Sequence, residues 1–425
     1  WTLPACLGAA LGEELLLTGE PMTGAQLQSR AGGLMVVSAD RVLSTAQALA
    51  QAWQSQPAPS VSGWKRMRAS QRGQRIDARP GWEVEAEPSN WPSPGVVALE
   101  TTVVTATVHT DGVLEIALHD REAKNMFSDA LVSGAMEAFA HVAGTAYKVV
   151  VLTGYDSYFA SGGTKESLLA IQSGTAKFTD FKIFQLAMQC EVPVIAAMQG
   201  HGIGAGWSLG MFADVVLFGE ESHYVSPYMN YGFTPGAGST LMVPTRLGQD
   251  LGRESLLTGH EYVGRELGAR GIAQRVLPRE QVLVEAHALA RRMARSTRGV
   301  LKALKRQWTA VLLARVEETY AQELSMHDET FVGRADTRAL IEGRFARTVV
   351  HEVPRAAAMP AAAAMRSVEH QTIAIEAPDA VDDGRDALST VTRTLRKLLA
   401  HELQLSESEI DDEAQFVDLG LDSIV

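Results

Sequence analysis

The chain has 425 residues, 46% of them hydrophobic, and a formal net charge of −12. That length allows a large buried core and about two to three domains, while the negative balance argues against nucleic acid or an anionic membrane as partner. Two cysteines, Cys6 and Cys190, cannot build a disulfide scaffold, and neither a bilayer-length apolar run nor a signal-peptide pattern occurs, so a cytoplasmic location is expected.

Residues 1–55 carry part of an internal repeat. Leu7–Gly8, Leu11–Gly12, Glu14 and Leu16-Leu17-Thr18-Gly19 recur as Leu247–Gly248, Leu251–Gly252, Glu254 and Leu256-Leu257-Thr258-Gly259. The register holds onward, pairing Leu27 with Leu267, Arg30 with Arg270 and Val36 with Val276. Only the late part of the unit recurs near the N-terminus, so residues 1–55 are expected to be the tail of a preceding domain whose complete relative follows at about 103–348. Residues 56–102, rich in Pro, Ser, Gly and Trp, are expected to be a linker.

Beyond this, apolar runs alternate with helical patterns. Val113–Leu118, Lys148–Thr153, Val192–Met198 and Asp214–Phe218 are predicted strands, and residues 281–345 are predicted mainly helical. The alternation implies an α/β core with predominantly parallel pairing. Gly-rich turns follow two strands, at Ser161-Gly162-Gly163 and at Gly200-His201-Gly202-Ile203-Gly204-Ala205-Gly206. Glycine lets a backbone approach a ligand closely, and two converging N–H groups are what a thioester oxygen needs when it takes on negative charge. Neither a Walker lysine nor a Rossmann-type acid accompanies these glycines, which weakens a nucleotide-binding reading. Ser161 lacks the Gly-x-Ser-x-Gly context of a hydrolase nucleophile.

Residues 349–384 contain an Ala-Ala-Ala-Met-Pro-Ala-Ala-Ala-Ala run and are expected to be a second linker. Downstream, Arg385–Leu405 sets Leu388, Val391, Leu395, Leu398 and Leu399 on one helical face; an acidic loop and Leu419-Gly420-Leu421-Asp422-Ser423-Ile424 follow. This order resembles the first half of an acyl carrier domain (385–425, truncated). The resemblance implies 4'-phosphopantetheine on Ser423 and carrier-tethered acyl thioesters as substrates.

Tyr158-Phe159-Ala160-Ser161-Gly162-Gly163-Thr164, Pro193–His201, Ala213-Asp214 and Gly232-Phe233-Thr234-Pro235-Gly236-Ala237-Gly238 together resemble the crotonase (enoyl-CoA hydratase/isomerase) superfamily over about 103–348. The resemblance implies an α/β ClpP/crotonase fold with a ββα spiral core and a C-terminal helical region that packs homotrimers. It makes residues 1–55 the tail of a crotonase-like unit. It also implies oxyanion donors at the N–H groups of Gly163 and Ala205. Hydratases of this family carry two glutamates at positions that here are Ser208 and Tyr228, so hydration and its reversal are disfavoured.

Met229–Pro235 and Glu323–Phe331 look like the decarboxylases of polyketide β-branching. The implied reaction turns a 3-methylglutaconyl thioester into 3-methylcrotonyl, without a metal. The same likeness implies a proton donor at His327 and a carboxylate contact at Lys177, with Lys165 as its rival. His201 is expected to make a structural hydrogen bond, and Trp207 and Tyr228 to shape the acyl pocket. Expected partners are acyl carrier domains and other polyketide synthase domains. The competing readings are a dehydratase or isomerase of the same fold and a silent carrier-docking scaffold.

Overall fold

The computed structural model describes residues 7–31, 34–54, 91–180 and 182–345, with Leu3 and Pro88. The expected second linker, the carrier segment and Ser423 lie outside the described residues, as does most of the expected first linker.

A seven-stranded sheet is built from β1 (Gly95–Val97), β2 (Val104–Val108), β3 (Val113–Leu118), β4 (Val149–Thr153), β6 (Val194–Met198), β8 (Val215–Gly219) and β11 (Arg275–Leu277), in that spatial order. The first two pairings are antiparallel and the remaining four parallel, as the alternating pattern predicts. β1 corrects the expected linker over 56–102: Gly95 pairs with Val108 and Val97 with Ala106, an edge strand too short to stand out in a Pro-rich stretch. β2 and β3 alternate buried with half-buried residues, whereas β4, β6 and β8 are buried throughout, as parallel strands covered on both faces are. Asp111 and Gly112, both at positive φ, turn the β2–β3 hairpin.

The two-residue period of the buried strands sorts them into two cores. Val149, Val151, Ile195, Ala197, Val215 and Leu217 face a helix at Arg279–Met293, which returns Val282, Ala286, Leu289, Ala290 and Met293 from one stripe. Val150, Leu152, Val194, Ala196, Met198 and Phe218 face the opposite way. There they meet a helix at Asp129–Gly144 and a four-stranded sheet, β10–β9–β7–β5, made of Glu261–Val263, His223–Val225, His201–Ile203 and Tyr158–Ala160. Each large side chain buried here contributes about 1.5–3 kcal/mol.

The last part of the described chain is helical, as predicted: Arg279–Met293, Arg298–Thr330 and Ala335–Arg344. Lys305 pins the long middle helix to the sheet: its Nζ donates to the carbonyls of Ala187 (2.7 Å) and Val192 (2.9 Å) and pairs with Asp214 at 2.9 Å. A buried ammonium needs such full satisfaction, and the anchoring fixes where the far end of that helix arrives. No helix among the described residues is long and apolar enough to cross a membrane.

The repeat recurs in three dimensions. Ala9–Thr18 and Gln249–Thr258 are both helices flanked by Gly8 or Gly248 and closed by left-handed Gly19 or Gly259. Arg30 grips Glu14 through bonds of 3.1 and 2.7 Å, and Arg270 grips Glu254 through bonds of 3.1 and 2.7 Å. The first copy packs on the body of the unit, with Glu14 also accepting from Arg275 and Leu17 entering the core against Arg279–Met293. Leu257, the counterpart of Leu17, is 70% exposed.

Candidate active site

Two loops converge on one cavity of about 350 Å³. The first leaves β5 as Ser161-Gly162-Gly163 and enters the helix Lys165–Gln172, whose N-cap, Thr164, accepts from the Ser167 N–H. The second leaves β7 through Gly204 and enters a helix that begins at Ala205. Gly204 sits at φ 54°, ψ −125°, a conformation for which L side chains pay heavily. A Cβ on Gly206 would lie 2.2 Å from the Ala160 carbonyl oxygen, so only glycine lets the loops meet.

Gly163 and Ala205 both line the cavity, and among the described residues neither backbone N–H has a protein acceptor. Asn125 clamps the first loop from beneath: its Nδ2 donates to the carbonyls of Leu118, Tyr158 and Phe159 at 2.9–3.1 Å. The Ser161 hydroxyl donates to the Lys124 carbonyl at 2.6 Å, so it is engaged in holding the loop. Lys124 and Asn125 both adopt positive φ, and Lys124 lines the cavity with its ammonium 5.6 Å from the Tyr158 ring centre. Sequence patterns did not single out either residue.

His327 reaches the cavity from the last turn of the long helix. Its Nε2–H donates to the Thr234 carbonyl at 2.9 Å, while Nδ1 is shielded from water and has no partner among the described residues. The rings of Phe178, Phe233 and Phe331 meet the imidazole edge to face at 5.3–6.0 Å. Burial pushes the His327 pKa down, so in the free cavity the ring is held neutral. Glu323, one turn earlier, does not line the cavity. Its carboxylate accepts from the N–H groups of Gly238 and Thr240 and from the Thr240 hydroxyl, and burial pushes its pKa up to about 7.

Tyr228 lines the cavity, and Ser208 is buried behind it. The two hydroxyls are neighbours, yet neither has a hydrogen bond of good geometry, and burial pushes the phenol pKa further up. Glu122 is the one carboxylate among the described residues lining the cavity, and it is exposed, on the loop beside Lys124. Lys177 is exposed on a turn whose next residue, Phe178, lines the cavity; neither Lys177 nor the half-buried Lys165 lines it. Trp207 corrects a sequence expectation. It is fully buried against Tyr224 and is absent from the cavity wall.

His201 makes the structural bond expected of it, Nδ1 accepting from the His223 N–H at 3.0 Å. Burial, reinforced by His223, lowers its pKa from 6.5 to about 3. A base with a depressed folded pKa costs stability once the unfolded chain protonates, so the loss begins below 6.5 and grows as pH falls toward 3. Between pH 7 and 4.5 this group should remove about 2–3 kcal/mol. Chemical denaturation across that range checks this, with His201→Asn expected to flatten the slope.

An enoyl-CoA hydratase/isomerase family model matches residues 109–346, and a phosphopantetheine attachment site model matches 393–425. The bacillaene synthase decarboxylase PksI of Bacillus subtilis is 47% identical over 220 residues, covering 52% of this chain and 88% of that relative. A solved structure described as a dehydratase/decarboxylase enzyme couple involved in polyketide β-branching aligns with a TM-score of 0.58 at 43% identity, covering 59% of this chain and 99% of that one. The ECH2 decarboxylase domain of CurF from Lyngbya majuscula aligns with a TM-score of 0.55 at 39% identity, covering 57% and 99%.

Proposed function

The chain belongs to the enoyl-CoA hydratase/isomerase family, and from that membership we propose that its domain at 103–348 decarboxylates a carrier-tethered 3-methylglutaconyl-type thioester to a 3-methylcrotonyl-type thioester during polyketide β-branching. The observation that carries this reading is a cavity on which, among the described residues, two N–H groups are free and no buried carboxylate lines the wall. Such a site stabilises an enolate oxygen but has no acid pair with which to handle water. The named decarboxylases among its relatives point the same way.

In the proposed reaction the thioester oxygen accepts from Gly163 and Ala205. The bond to the distal carboxylate breaks, and its electron pair passes through the conjugated double bond onto that oxygen as carbon dioxide leaves. The dienolate then takes a proton at carbon from His327. With Nε2–H held by Thr234, Nδ1 is the nitrogen that carries the transferred proton. An anionic substrate beside the ring favours the imidazolium that burial disfavours in the free protein.

Lys124, the one cation among the described residues of the cavity wall, is assigned to the substrate's negative charge; Lys177 is the alternative that family resemblance supplies. Lys124→Met is expected to raise KM about tenfold with kcat nearly unchanged, the loss of one charge-assisted bond. A tenfold rise in Lys177→Met, with Lys124→Met silent, would move the carboxylate contact to the 175–180 turn.

The carrier match at 393–425 supports phosphopantetheine on Ser423. In this reading 349–384 is the tether, and the Glu14–Arg30 pair repeated as Glu254–Arg270 supports residues 1–55 as part of a second crotonase-like unit. A homotrimer in the cytoplasm completes the proposal. A two-substrate comparison tests the reaction class. Carbon dioxide should be released from a 3-methylglutaconyl thioester, while a crotonyl thioester should remain unhydrated; hydration of the second without release from the first would favour a dehydratase.

A further inference from the structure

The geometry points to a divalent transition-metal site formed by His109, Glu115 and His287, on the face of the large sheet away from the cavity. The strand period puts Glu115 on the same side as Val113, which packs in the core against the Arg279–Met293 helix. His109 stands on that side too, because its N–H bonds the Val113 carbonyl and Thr107 pairs with Glu115. His287 comes down from the helix.

The three donor atoms lie within 4.8 Å of one another. Glu115 Oε2 is 2.7 Å from His287 Nε2 and 3.4 Å from His109 Nε2, and the two imidazoles stand 4.5 Å apart between centres. One carboxylate oxygen holds only the nearer ring in a good hydrogen bond. Among the described residues His109 Nε2, an atom shielded from water on a side chain that is 39% exposed, has no hydrogen bond of good geometry, only the 3.4 Å contact with Glu115, which leaves it free to take a further ligand.

A divalent cation satisfies all three groups at once. Bonds of about 2.0–2.1 Å to imidazole nitrogen and carboxylate oxygen in a tetrahedral zinc site set ligand atoms about 3.4 Å apart. One of the two His–Glu separations already has that value, and the other must open by less than about 1 Å. Two nitrogens and one oxygen suit zinc better than calcium or magnesium, which take oxygen ligands; solvent supplies the fourth ligand. The bound ion ties the β2–β3 hairpin to the Arg279–Met293 helix. This site is independent of the proposed decarboxylation.

Zinc titrated calorimetrically into the chelator-treated full chain should bind at one equivalent per chain, and both His287→Ala and Glu115→Gln should weaken that binding by more than about 100-fold. Zinc should also raise the melting temperature of the unaltered protein. Absence of saturable binding, or equal affinity in His287→Ala, overturns the assignment. Should the variants fail to fold, histidine ring resonances of the unaltered chain decide: zinc should shift those of His109 and His287, and shifts confined to other histidines contradict the site.

Discussion

His327→Ala and His327→Gln are both expected to lower kcat for decarboxylation by about 10²–10⁴-fold while leaving KM within a few-fold, the effect of losing a positioned acid. The pair of variants separates chemistry from packing. Glutamine keeps an N–H to satisfy the Thr234 carbonyl but carries no transferable proton, whereas alanine also opens a hole among Phe178, Phe233 and Phe331. Any stability change should therefore fall mainly on alanine, at about 1–3 kcal/mol for an unsatisfied buried group. Steady-state kinetics with thermal melts reads both. A glutamine variant of unchanged kcat would remove His327 from the proton path.

Ala205→Pro is expected to cut kcat by about 10²–10³-fold, the effect of deleting one oxyanion donor. Proline replaces the N–H with a ring methylene at a position whose backbone otherwise accepts it. Ala205 is the first residue of its helix, where proline is well tolerated. Gly204 before it, at φ 54° and ψ −125°, mirrors the extended conformation that a residue preceding proline prefers, and glycine adopts mirror-image backbones freely. A kcat within threefold of the unaltered protein, with the fold intact by circular dichroism, would mean that the Ala205 N–H does not meet the developing charge.

The parts of this protein legible in its sequence are those where one physical demand dominates a short stretch. Strands β4, β6 and β8 are buried on both faces, so they appear as unbroken apolar runs. The two glycine-rich loops are legible because Gly204 and Gly206 tolerate nothing larger. The small sheet escaped notice: β5, β7 and β9 have three residues each, too few for a period to show. Asn125 and Lys124 were invisible for another reason. Asn125 clamps carbonyls up to 34 residues away, and no local pattern encodes such a contact. Helical phase explains why Trp207 is not on the cavity wall. It lies two residues beyond Ala205, so it points to nearly the opposite side of the helix and into the core.

The most direct measurement is mass spectrometry of a carrier-bound 3-methylglutaconyl thioester, followed over time in deuterated water with the intact chain. The expected product is lighter by one carbon dioxide and carries one deuteron on carbon. A product that has gained or lost water, with its carboxylate intact, would contradict an enolate site that acts by decarboxylation.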